Sequence, residues 1–98
     1  MNVKEAAIFD VMAHAASAWN INPLSITDRY RGEEWVWARA FAAYFMRYRL
    51  RLKWREISEA LKRDHATCIP LANKVADSLR YDKQIAKHYE LFETLLTL

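Results

Sequence analysis

Apolar residues recur along the first part of the chain at the spacing of an amphipathic helix. Within residues 4–19 they share one helical face, at Ile8, Val11, Met12, Ala15 and Trp19. This i, i+3, i+4, i+7 pattern predicts a first helix. Residues 20–32 interrupt it with Asn22-Pro23 and Gly32, so we expect a loop there with one short turn over residues 23–26.

The next apolar pattern predicts the longest helix, over residues 34–50. With about 100° between successive residues, its apolar side chains gather on one half of the helix. The opposite half carries a row that predicts an exposed basic ridge: Arg39, Ala43, Arg47 and Arg51. An aromatic stripe on the apolar half could stack on nucleic-acid bases, but at helical spacing a place in the core is favoured. Its members are Trp37, Phe41, Tyr44 and Tyr48.

The third pattern consists of a short helix, a tight connection and a longer helix. The short helix is marked by Trp54, Ile57, Ala60 and Leu61, and residues 62–64 form the connection. Asp64 is a suitable N-cap for the longer helix, over residues 65–80, because its carboxylate can accept the free amides of the first turn. This succession is the helix-turn-helix plan. A last helix over residues 82–96 is expected to close the core.

The composition limits the chain to one all-α domain. Its 98 residues are 53% hydrophobic, enough for a single core, and with one glycine and two prolines they offer little turn chemistry for hairpins. We therefore expect a single domain over residues 1–98. An N-terminal helix would lie in residues 1–22, a basic loop in 23–33 and a helix-turn-helix bundle in 34–98.

Other function classes find little support in the sequence. Cys68 is the only cysteine, so no internal disulfide or cysteine-based metal cluster can form. The three histidines, His14, His65 and His88, are too far apart for a helical metal pair, and Asp64-His65 lacks a nucleophile. We expect no metal, no cofactor and no enzymatic activity. No apolar run approaches a membrane span and no signal peptide precedes the first helix, so a cytoplasmic, nucleoid-associated protein is expected.

The charge is concentrated in the middle of the chain. Residues 29–63 contain ten basic and four acidic side chains, a surplus of six, whereas the whole chain has a net charge of +3. The remaining residues therefore carry −3. Because phosphate neutralisation supplies most nucleic-acid affinity, this polarity indicates a surface for a polyanion. The alternative is a solvated basic face with no ligand.

A five-residue motif resembles a known DNA-binding family. Arg63-Asp64-His65-Ala66-Thr67 is similar to the R-D-H-T-T signature in the C-terminal domain of the bacterial replication initiator DnaA. Further matches are Trp37-Ala38-Arg39, Glu56-Ile57 and Lys74-Val75, and the resemblance covers about residues 8–98. It implies a five-helix fold similar to the DnaA C-terminal and Trp-repressor-like folds. It also implies a monomer that docks a helix in the major groove of double-stranded DNA and a loop arginine in the minor groove.

The resemblance assigns roles to residues at matching positions. Arg31 matches the minor-groove arginine, while Arg39 and Arg47 resemble phosphate contacts. Trp54 and Arg55 lie where the family meets the DNA backbone. The signature and the start of its helix would contact base edges or adjacent phosphates, through Arg63, Asp64, His65, Ala66, Thr67 and Pro70.

Some positions depart from the family pattern. Ala66 replaces a threonine and so lacks a hydroxyl, and Pro70 replaces a histidine within the predicted helix, where it should kink the axis. One turn glycine before Arg63 is missing, and Arg55 occupies a proline position. There is no glycine-rich phosphate loop, so no ATPase activity is expected.

Two functions therefore stay open. The first is a DNA-binding regulator of replication or transcription at initiator-type sites, in a bacterium or its phage. The second is a module of the same fold that binds a protein, for example the initiator, with weakened or lost DNA readout.

Overall fold

The computed structural model describes residues 1–98 as five α-helices and one short 3₁₀ turn, without strands. The predicted all-α, five-helix fold is confirmed. The helices are α1 (Val3–Ala18), α2 (Glu33–Tyr48), α3 (Trp54–Leu61), α4 (His65–Tyr81) and α5 (Lys83–Leu96), with the 3₁₀ turn at Pro23–Ser25. At 17 residues α4 is one residue longer than α2, so the prediction that α2 is the longest helix is wrong. No helix has the length and apolar character needed to cross a membrane.

Short polar side chains fix where three of the five helices begin. Asn2 caps α1 by accepting from the Glu5 amide. Asp64 accepts from the Thr67 amide at 3.0 Å, which confirms it as the predicted cap of α4. Asp82 likewise accepts the amides of Gln84 and Ile85 at the start of α5. Each carboxylate or amide oxygen satisfies donors that the helix itself cannot pair.

Helix α2 lies at the centre of the molecule. Nine of its sixteen residues are buried, and it packs against α1, α3 and α4. Four of the buried residues are alanines, whose small side chains permit close approach of the neighbouring helices. They are Ala38, Ala40, Ala42 and Ala43. The prediction of an exposed ridge along α2 is therefore wrong for two of its members, since Ala43 is fully buried and Arg39 is only 4% exposed.

Aromatic rings from three helices meet around Phe41 of α2. The centre of the Phe41 ring lies 5.3 Å from the ring centre of Trp19, which directly follows α1. It lies 5.2 and 5.5 Å from the ring centres of Tyr89 and Phe92 of α5. The aromatic stripe is thus part of the core over most of its length, as favoured by its spacing. Only Tyr48 at its end is half exposed.

The α3–α4 connection is a tight turn with a left-handed residue. Lys62 has φ 55° and ψ 43°, the conformation usually taken by glycine after a helix. The Arg63 amide donates to Ser58 O at 3.1 Å, and the Ser58 hydroxyl donates to Arg63 O. Beyond the turn, α4 runs without interruption through Pro70, which lies on its exposed face. The bend expected at Pro70 stays a prediction.

Candidate nucleic-acid interface

A basic cleft of about 870 Å³ separates the loop before α2 from the N-terminal half of α4. Six of its ten lining residues are arginine or lysine, and none is acidic. The lining comprises Arg29, Arg31, Val36, Arg39, Lys62, Arg63, Thr67, Pro70, Leu71 and Lys74. A concave surface lined by one sign of charge concentrates ions of the opposite sign. The cleft is therefore suited to an anionic group.

The N-terminal turn of α4 lies at the edge of this cleft. Asp64, His65, Ala66 and Thr67 are all exposed, and Pro70 follows on the same exposed surface. Asp64 uses one carboxylate oxygen to cap the helix through the Thr67 amide. Burial falls instead on the opposite face of α4, at Cys68, Ala72 and Val75. The structure thus brings Asp64, His65, Ala66 and Thr67 together at an exposed helix start, whereas Arg63, the first residue of the signature, is half-buried.

Arg39 has a different environment from the one expected. It is 4% exposed, and its Nε donates to Ile26 O at 2.7 Å while Nη2 donates to Asp28 O. Burial, and next the charge of Arg63, hold the pKa of Arg39 below its usual value, although Asp28 acts in the opposite direction. The loop folds over the helix face that was expected to face solvent, so Arg39 forms the floor of the cleft rather than an exposed ridge.

The Arg63 guanidinium is also engaged within the protein. It donates to Thr27 O at 3.1 Å, to Lys62 O at 3.0 Å, to Leu61 O at 3.2 Å and to Asp28 O. Two of these acceptors belong to the loop, more than thirty positions away in the sequence. The first residue of the signature therefore connects the α3–α4 turn to the loop.

A second basic patch lies at the C-terminal end of α2 and consists of Arg47, Arg51 and the adjoining start of α3. The Arg47 guanidinium lies 4.8 Å from the centre of the Trp54 ring and donates to Leu52 O at 3.1 Å. Arg51 and Arg55 are exposed. Eight residues separate Arg39 from Arg47, which at the rise of an α-helix places this patch about 12 Å along α2 from the cleft.

Three cations of the cleft were not among the predicted contact residues: Arg29, Lys62 and Lys74. Lys74 is exposed on α4, and its Nζ lies 4.6 Å from the centre of the Trp37 ring. It follows Thr67 by seven residues, or two helical turns, so it lies on the same face as the signature. That spacing could have identified it. Lys62 and Arg29 are sequence neighbours of residues that were recognised.

The remaining titratable residues form no second cluster of ligands. The His14 ring contacts Asp10 O at 2.8 Å, and the His88 ring contacts Ala18 O at 2.7 Å. No group of three or more His, Cys, Asp or Glu side chains is arranged to hold a metal ion.

Comparison with known protein families gives a match that covers more than half of the chain. The sequence model of the family described as the bacterial dnaA protein helix-turn-helix matches residues 8–75. The matched region extends from within α1 through the loop, α2 and α3 to Val75 of α4, so it includes every lining residue of the cleft. No curated protein matches the chain.

Proposed function

Because the chain belongs to the family of the bacterial DnaA helix-turn-helix, we propose that it docks α4 in the major groove of duplex DNA and Arg31 in the adjacent minor groove. The resemblance inferred from the signature is thereby confirmed. Membership in this family implies DNA binding at initiator sites. The groove assignments and the residue roles below are our proposal.

The exposure of the α4 N-terminus supports a role in base readout. In helix-turn-helix proteins the first residues of the second helix contact base edges while other elements hold the backbone. His65, Ala66 and Thr67 are exposed there, and the Asp64 cap fixes the start of the helix. The Ala66 methyl is suited to a thymine methyl, and the Thr67 hydroxyl can donate or accept.

The basic cleft is the single observation that carries the proposal. It lies between the loop that carries Arg31 and the helix that carries the signature, and six cations line it. A duplex that places its minor groove at the loop and its major groove at α4 has one phosphate strand between the two. We assign the cleft to that strand, with Lys62 and Lys74 as the exposed phosphate contacts.

The second basic patch supports contact with the opposite phosphate strand. Arg47 is stacked on Trp54, which holds its guanidinium in one place, and Arg55 begins the exposed face of α3. Contacts with the DNA backbone at both ends of α2 would position the domain without reading the base sequence, as such contacts commonly do. In this arrangement residues 1–98 act as one DNA-binding domain, bound as a monomer, that regulates replication or transcription. We assign no catalytic role to any residue.

A binding titration tests the proposal. Fluorescence anisotropy is measured with an initiator-box duplex and a random duplex of equal length, each at two salt concentrations. We expect both duplexes to bind, the initiator box more tightly. The logarithm of the association constant should fall linearly as the logarithm of the salt concentration rises. Absence of binding to either duplex would contradict the proposal. It would favour the alternative that the same fold binds a protein such as the initiator, with DNA readout lost through Ala66 and Pro70.

A further inference from the structure

Two arginines from different elements donate hydrogen bonds to one short loop. Arg39 of α2 donates to Ile26 O and Asp28 O, and Arg63 of the α3–α4 turn donates to Thr27 O and Asp28 O. Three successive carbonyls, those of residues 26–28, are thus held by two guanidinium groups. The Asp28 carbonyl accepts from both.

The loop in turn stabilises the two arginines. Their like charges repel, and the charge of Arg63 contributes to lowering the pKa of Arg39. Carbonyl oxygens placed between the guanidinium groups offset that repulsion, and hydrogen bonds with a charged donor are stronger than those between neutral groups. Removal of Arg39 would therefore leave the buried Ile26 carbonyl without its partner, and removal of Arg63 would do the same for the Thr27 carbonyl.

The loop residues that follow these three carbonyls include the exposed cations Arg29 and Arg31. A loop without regular structure would have to be ordered on binding, and that loss of conformational freedom weakens affinity. Hydrogen bonds that already hold residues 26–28 remove much of this cost. They also fix the direction in which the chain leaves toward Arg31.

We propose that Arg39 and Arg63 are positioning residues that order the loop before DNA binds and thereby direct Arg31 toward the minor groove. The inference rests on the proposed function, and it gives the first residue of the signature a task other than contact with DNA. A direct phosphate contact is the competing explanation for Arg63.

Replacement by lysine separates the two explanations. Lysine keeps the positive charge but presents a single ammonium, which cannot reproduce the forked geometry that reaches carbonyls of the loop and the turn together. If Arg63 acts mainly as a phosphate contact, Arg63→Lys should retain most of its affinity. If it positions the loop, the variant should bind initiator-box DNA about tenfold more weakly, because the loop must then be ordered on binding.

The first experiment measures loop order without DNA. Backbone ¹⁵N relaxation of the free protein gives order parameters for residues 27–31. We expect about 0.85 in the wild type and values below about 0.6 in Arg63→Lys. Arg80→Lys, an equally conservative change at an exposed site on the far end of α4, should leave the loop unchanged. Thermal unfolding verifies that each variant is folded, and Arg39→Lys provides a second test from the α2 side. Unchanged order parameters for residues 27–31 in both Arg63→Lys and Arg39→Lys would overturn the inference.

The second experiment is a double-mutant cycle with Arg31→Ala. If Arg63 acts through Arg31, most of the tenfold loss caused by Arg63→Lys should disappear when Arg31 is already absent, leaving less than about a twofold effect. An equal loss in both backgrounds would mean independent action and would overturn the inference. If wild-type protein binds no duplex, the proposed function fails, and the order parameters alone then decide whether the arginines hold the loop.

Discussion

Lys62 combines backbone strain with a charge at the edge of the cleft. Its φ of 55° lies in the left-handed region, and it belongs to the turn before Arg63, in which one glycine of the family pattern is missing. For residues other than glycine this conformation costs roughly 1–2 kcal/mol, and part of the gain from glycine is offset by its freer unfolded chain.

Lys62→Gly should therefore change stability and DNA binding in opposite directions. We expect the free energy of unfolding to rise by about 1 kcal/mol, equivalent to about 4–8 °C in Tm, in thermal unfolding followed by circular dichroism. Loss of a phosphate contact should lower the salt slope by about 1. Asn20→Gly, at φ 56°, is the matched control and should gain less, because asparagine tolerates this region. A lower Tm for Lys62→Gly would contradict the argument.

Arg31 provides the second prediction at the residue scale. The minor groove distinguishes mainly A·T from G·C pairs and attracts arginine where A-tracts narrow it. Arg31→Ala should thus weaken binding most on A·T-rich flanks, measured by anisotropy on two duplexes that differ only there. Arg29→Ala should weaken binding to both duplexes equally. If Arg31→Ala weakens binding to both duplexes equally, Arg31 contacts only the DNA backbone or does not contact DNA.

At the scale of elements, substitutions in α4 test which DNA sequence the domain prefers. Ala66→Thr restores the hydroxyl of the family signature on an exposed face, so it should raise the preference for an initiator box over random DNA without a change in the core. One hydroxyl should contribute about 1 kcal/mol or less of discrimination. Pro70→His restores a backbone amide and adds a donor near the cleft.

The measurement is the ratio of the dissociation constants for box and random duplex at one salt concentration. It is made for the wild type, both single variants and the double variant. A ratio that is the same in all four, with DNA still bound, would show that α4 reads another site or none.

The elements themselves followed closely from the apolar periodicity, but the orientation of α2 did not. Helix boundaries agree to within one or two residues, because the apolar periodicity and the Asp64 cap mark them in the sequence. Arg39 was assigned to a solvent face since a helical wheel shows only which residues share a side. It cannot show that the loop between α1 and α2 folds over that side and offers carbonyls to a buried guanidinium. The exposure of residues 64–67, by contrast, needed only the local pattern.

At the scale of the whole molecule, the two basic regions lie toward opposite ends of the buried α2. The charge surplus and the two helical turns between Arg39 and Arg47 follow from the sequence, but only the fold shows that Arg39 is buried in the floor of the cleft while Arg47 belongs to a separate patch. Arg47→Ala should weaken binding to all duplexes alike and reduce the salt slope by about 1. Arg80→Ala, which removes an exposed cation outside both regions, should change neither. An unchanged slope in folded Arg47→Ala would remove Arg47 from the interface.

The buried thiol of Cys68 makes the opening of α4 measurable by chemical labelling. The thiol is fully buried beneath α4 with its Sγ 3.7 Å from Arg63 O, and burial raises its pKa. Alkylation requires an accessible thiolate, so iodoacetamide should react only when α4 separates from its neighbours. Since the chain has no other cysteine, the rate of mass gain reports how often this one helix opens. Duplex DNA should slow labelling, with the rate falling as the unbound fraction of the protein falls. Labelling at the rate of a free thiol would mean that α4 is loosely held.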